Sequence, residues 1–165
     1  MTSTATAVCE ALTALGLPNL AVVADPGAVA ALEQTPGCRI GFAAALRLAL
    51  EAFLGDGRGS PGQGHDSALD LVRAAPDAYG LDPAPTDAAI SEVLRRTLAE
   101  DPEARIVLLS AATVQEPSYR FLPEYGEDIA THWVFRIVAP NGWPSLQWAI
   151  VDPRGETAAY SYGFE

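Results

Sequence analysis

Few side chains in this 165-residue sequence carry nucleophilic or acid–base chemistry near neutral pH: two cysteines (Cys9 and Cys38), two histidines (His65 and His132), and 21 carboxylates against ten arginines and no lysine. A thiol, an imidazole and a carboxylate suffice for nucleophilic acyl transfer if they converge. The segment Pro140-Asn141-Gly142-Trp143-Pro144 reads as a hairpin connection. With its symmetry centred on Gly142, Ala139 faces Ser145 and His132 faces Asp152. Directly opposite residues point to one face with Cβ atoms roughly 5 Å apart. That is close enough for the carboxylate to accept the imidazole N–H and fix its tautomer. The matching nucleophile is a thiol at the start of a helix, where unpaired N–H groups and the helix dipole stabilise thiolate. Cys38 follows Pro36-Gly37 and opens a long apolar run, so it is the candidate.

Each of these residues also has a plainer role. Free cysteine is among the most buried residue types, so Cys38 can be a small apolar helix residue, and Cys9 belongs to the apolar face of the first helix. His132 opposite Asp152 can be an ion pair at a sheet edge. Asp152-Pro153-Arg154-Gly155 is an ordinary turn sequence, which accounts for its aspartate without catalysis. Trp133, Trp148, Tyr160 and Tyr162 fit sheet packing, and His65 lies in a glycine-rich loop.

The absence of lysine excludes a Schiff base, a P-loop with its GK[ST], and a lysine general base. The cysteines and histidines have none of the short spacings of metal-ligand pairs, and no cofactor or metal is expected. A net charge of -11 repels a phosphate backbone, so nucleic acid is an unsuited partner. Two cysteines do not make a disulfide framework. The longest apolar stretch, Ile40 to Leu54, is broken by Arg47 and Glu51 and is shorter than the roughly 20 residues of a bilayer span. No secretion signal is evident at the N-terminus, and a cytoplasmic location is the expectation.

The elements that must position the candidates follow from periodicity. Residues 1–165 read as one α+β domain, helical over 1–101 and a sheet of about four antiparallel strands over 104–165. Val8, Leu12 and Leu15 mark a first helix from Thr4, with Gly16 as its stop. Asn19 to Ala24 is a short apolar run, after which Asp25 and Pro26 look like an N-cap and first helical residue of a helix to Gln34. CRIGFAAALRLALEAFL, 38 to 54, reads as a buried central helix with Arg47 and Glu51 as one polar i,i+4 strip. GDGRGSPGQG, 55 to 64, is a surface loop. Asp66 caps a short helix to Ala75, and Thr86 opens another that carries Ile90, Val93, Leu94 and Leu98 inward. The period then changes: Arg105 to Val114 reads as an apolar strand, followed by a meander of THWVFRIVA, SLQWAIV and TAAYSYGFE. Trp133, Phe135 and Ile137 on one strand, and Leu146, Trp148 and Ile150 on the next, are assigned to the face that packs on the helices.

A cysteine opening a buried helix (GC, 37 to 38), a histidine beginning a strand (HWVF, 132 to 135) and an aspartate ending the neighbouring strand (WAIVDP, 148 to 153) resemble, in that order, the papain-like and transglutaminase-like cysteine hydrolases. The resemblance implies acyl transfer from an amide or ester. Cys38 is then the nucleophile, His132 the base and then acid, Asp152 the orienting carboxylate, and the Cys38 backbone N–H a donor to the thioester-forming oxyanion. Such families place a glutamine before the cysteine, where this chain has Gln34, and an aromatic or small residue after it, where it has Arg39. Peptide bonds and glutamine side chains are the substrates this implies, with a protein or peptide as the partner. The competing reading is a non-enzymatic acidic binding protein, of immunity, adaptor or regulatory type, that meets a basic protein surface.

Overall fold

The computed structural model describes residues 4–54, 68–114, 131–139 and 146–163. The glycine-rich segment, His65, the Asp66 cap and the hairpin connection around Gly142 lie outside them. The chain is α+β, with its helices mainly in the N-terminal part and its sheet mainly in the C-terminal part. In order come α1 (Thr4–Ala14), β1 (Ala21–Val23), α2 (Pro26–Glu33), α3 (Phe42–Leu54), α4 (Ala68–Ala74), a 3-10 turn (Pro76–Tyr79), α5 (Asp87–Glu100), β2 (Arg105–Leu108), α6 (Ala111–Val114), β3 (Trp133–Val138), β4 (Leu146–Val151) and β5 (Ala158–Gly163).

The five strands form one sheet in the order β1-β2-β3-β4-β5. The expected antiparallel meander is β2 to β5, and β1 adds to its edge in parallel with β2, with Val22 beside Ile106. Asn19 to Ala24, apolar but too short to declare itself, thus supplies the fifth strand. The β3–β4 register is the one that symmetry about Gly142 requires, with Trp133 opposite Val151 and Phe135 opposite Ala149.

That register corrects the expected face assignment. Trp133, Phe135 and Ile137 share the helix-facing side with Ala149, Val151 and Tyr160, where they join the main core with α3. Leu146, Trp148 and Ile150 lie on the other side with Val134, in a second cluster to which α6 contributes Val114. Every residue of β4 is buried, so its sequence has no polar face from which alternation could be read.

Local signals set the starts of three helices. The Asp25 carboxylate accepts the Ala28 N–H at 3.0 Å and caps α2, and Thr86 Oγ1 accepts the Ala89 N–H at 3.1 Å and caps α5. The strand expected over Arg105 to Val114 stops at Leu108, because Ser110 Oγ accepts the Thr113 N–H at 3.1 Å and opens α6. Phe42, Leu46, Ala49, Leu50 and Phe53 of α3 recur at helical spacing and are buried against β3, β4 and β5. Arg47 and Glu51 pair at 3.0 Å, as their spacing implies.

Candidate functional site

Three segments meet where α3 begins. The first is the link 34–41 between α2 and α3. The apolar run predicted a helix starting at Cys38, but α3 starts at Phe42, four residues later. The reason is a tertiary contact: Glu33, the last residue of α2, turns its carboxylate onto the N-terminus of α3 and accepts the Phe42 N–H at 3.1 Å. Gly37, with φ 88°, sits in the left-handed region and turns the chain into the link.

The second segment is the β4–β5 turn. Asp152 Oδ1 accepts two backbone N–H groups, from Glu156 at 2.7 Å and Thr157 at 3.2 Å, and its own N–H donates to Thr157 O at 3.1 Å. Gly155 takes φ 75°, and a Cβ there would come within 2.6 Å of Ile40 Cγ2. The Arg39 N–H donates to Pro153 O at 2.8 Å. The residue after Cys38 is therefore bonded to the residue after Asp152, and Ile40 lies against the same turn.

The third segment is the start of β3. The Phe42 ring lies 6.2 Å from Trp133, the residue after His132, and 6.1 Å from Phe135, centroid to centroid. His132 is half-buried. It stands one step outside the ladder, which ends at the pair Trp133 and Val151, and Asp152 stands one step outside on the other strand. The positions of His132 and Asp152 are thus in register. Alternation carried one step past the ladder assigns both to the side of Val134 and Ile150, while Phe42 packs on the side of Trp133.

The structure therefore brings the chain segments of all three candidates together, without hydrogen-bonding their side chains into a relay. The Cys38 thiol, half-buried, donates to Ile40 O at 3.2 Å, and no hydrogen bond joins Cys38 to His132 or Asp152. The Cys38 N–H, which the resemblance makes an oxyanion donor, donates to Thr35 O at 3.0 Å. Gln34 is exposed at the C-cap of α2. Glu33, which neither spacing nor motif marked, is the charged group that occupies the α3 N-terminus. Its only sequence signal is an acidic residue just before a Pro-Gly break. The other thiol also departs from expectation: Cys9 is exposed, not core.

At the opposite end of α3 is a second polar cluster. Phe53 packs edge-on against Tyr160, with centroids 5.5 Å apart, and Tyr160 lies 6.1 Å from Tyr162. The Tyr160 hydroxyl donates to Gln147 Oε1, and Gln147 is wholly buried. Burial, with smaller contributions from Tyr79 and Tyr162, holds Tyr160 protonated well above the usual tyrosine range. Burial likewise raises Tyr79, with Tyr162 adding to it.

Among the described residues no three His, Cys, Asp or Glu side chains gather as a metal site, and no helix is long and apolar enough to cross a membrane. Comparison with known proteins finds no matching family model, no matching curated protein and no matching solved structure.

Proposed function

We propose that the chain is a cysteine-dependent acyl-transfer or amide-hydrolysing enzyme that uses Cys38, His132 and Asp152. One observation carries the reading. The bond from Arg39 to Pro153 and the packing of Phe42 on Trp133 join the chain neighbours of all three residues at the start of α3, although the three are far apart in sequence.

In this reaction the Cys38 thiol gives its proton to His132, and its sulfur attacks the acyl carbon of an amide. The carbon–nitrogen bond breaks, the leaving amine takes the proton from His132, and a thioester remains on Cys38. Water then attacks the thioester, His132 takes its proton, and the acid leaves as the thiol is restored. Asp152 orients the imidazole by accepting its other N–H. A protein or peptide is the fitting substrate.

The test is alkylation of the native protein by iodoacetamide from pH 5 to 9, with each cysteine quantified by mass spectrometry. Cys9 is an internal standard for an exposed thiol. The expected result is that Cys38 outpaces Cys9 below pH 7 and loses that advantage in His132→Ala. Reaction of Cys38 only above pH 8, unchanged by His132→Ala, sinks the proposal.

A second reading has its own observation. The Cys38 S–H is bound to Ile40 O and the Asp152 carboxylate to two turn amides, which are structural uses for both. They fit a non-enzymatic acidic protein that binds a basic protein partner, drawn by the net charge of -11. A slow Cys38 in the alkylation experiment selects this reading.

A further inference from the structure

Four bonds hold residues 38–41 in their irregular path. Phe42 donates to Glu33, Cys38 S–H to Ile40 O, Cys38 N–H to Thr35 O, and Arg39 N–H to Pro153 O. The sequence Cys38-Arg39-Ile40-Gly41 is nonetheless one further turn of the apolar run that forms α3. Helical continuation would give the Phe42 N–H the Cys38 carbonyl as acceptor, and Ala43 and Ala44 those of Arg39 and Ile40. In the present arrangement the first such bond is Ala45 to Gly41, at 3.1 Å. The left-handed Gly37 would stop the extension at Cys38, leaving the thiol at the helix start, among free N–H groups and away from the Ile40 carbonyl.

We propose that residues 38–41 are an autoinhibitory latch: Glu33 occupies the N-terminus of α3 and keeps the segment unwound, and its release winds one more helical turn that places Cys38 at the reactive helix start. The latch rests on the catalytic reading for its purpose but not for its geometry. Gly41 is poised between the two states. Its φ is not in the left-handed region, so alanine is sterically allowed there, yet a Cβ would lie 3.0 Å from Glu33 Oε2. Gly41→Ala therefore crowds the latch and favours the helix together. Glu33→Ala removes the latch, and Glu33→Gln keeps an acceptor oxygen in place.

The experiment compares wild type with these three variants by amide hydrogen exchange at residues 42–44 and by iodoacetamide alkylation of Cys38. In Gly41→Ala and Glu33→Ala, exchange at Ala43 and Ala44 is expected to slow. Cys38 alkylation should rise about fivefold in Gly41→Ala, the population shift that a glycine-to-alanine change gives in a helix. Glu33→Gln stays near wild type. Exchange at 42–44 that is unchanged or faster in both opening variants overturns the latch. Slower exchange with no gain in Cys38 reactivity upholds the latch and removes the catalytic reading instead.

Discussion

The two ends of α3 handle polar groups in opposite ways. At the C-terminal end Phe53, Tyr160 and Gln147 are sunk in the core, and one side-chain hydrogen bond, Tyr160 to Gln147, lies among apolar neighbours. At the N-terminal end Glu33, Cys38, Arg39 and Asp152 are at least partly exposed, and their hydrogen bonds run to backbone. A buried side-chain pair is costly to break and has no ready substitute. A rim of backbone bonds can be exchanged for helical bonds or for water at small cost. The first end is built to hold the fold, and the second is where alternative arrangements are affordable.

The sharpest way to break this contrast is at the core. Phe53→Ala removes a wholly buried ring and should cost about 3 to 5 kcal/mol in denaturant unfolding. If the ends are separable, Cys38 alkylation in the folded fraction should not change. A parallel change in Cys38 reactivity would show α3 to behave as one rigid lever.

Tyr160→Phe is the next largest. It leaves Gln147 Oε1 buried without its donor, which should cost about 1 to 3 kcal/mol. The pH dependence has a definite sign. Burial raises the Tyr160 pKa in the folded state, so the folded protein holds this proton more tightly than the unfolded chain does. Its contribution is complete below about pH 10 and is lost as pH rises beyond that. Wild type should lose stability above pH 10 in denaturant melts, and Tyr160→Phe should lose less.

Much of the scaffold was legible because its signals are local. Asp25-Pro26 and Thr86 declare caps within three residues, and the glycine at the centre of Pro140 to Pro144 fixed the β3–β4 register, although that connection itself lies outside the described residues. What was not legible is nonlocal or too short. The start of α3 is set by Glu33 across nine residues of sequence, while the apolar pattern runs on unchanged to Cys38. The three residues of β1 gain their partner from β2, more than eighty positions away. Both faces of β4 are buried, so period two is invisible there. Cys9 lies one position off the stripe of Val8, Leu12 and Leu15, which suffices to turn it outward. The candidate triad was legible as an order of residue types and as a register, but the partners that Cys38 and Asp152 take are backbone groups that no motif encodes.

The smallest effects belong to the rim, and Asp152 separates its two roles there. Asp152→Ala removes the acceptor of the Glu156 and Thr157 N–H groups and should cost about 1 kcal/mol. Asp152→Asn keeps an oxygen for those amides while deleting the charge, so its stability should stay within about 0.5 kcal/mol of wild type. A turn residue and a catalytic partner then diverge in a measurement that stability does not touch. If Asp152 serves the turn alone, Asp152→Asn leaves the pH profile of Cys38 alkylation where it was. If it also orients His132, the amide no longer holds the imidazole in its working tautomer, and Cys38 loses its fast reaction in a protein as stable as wild type.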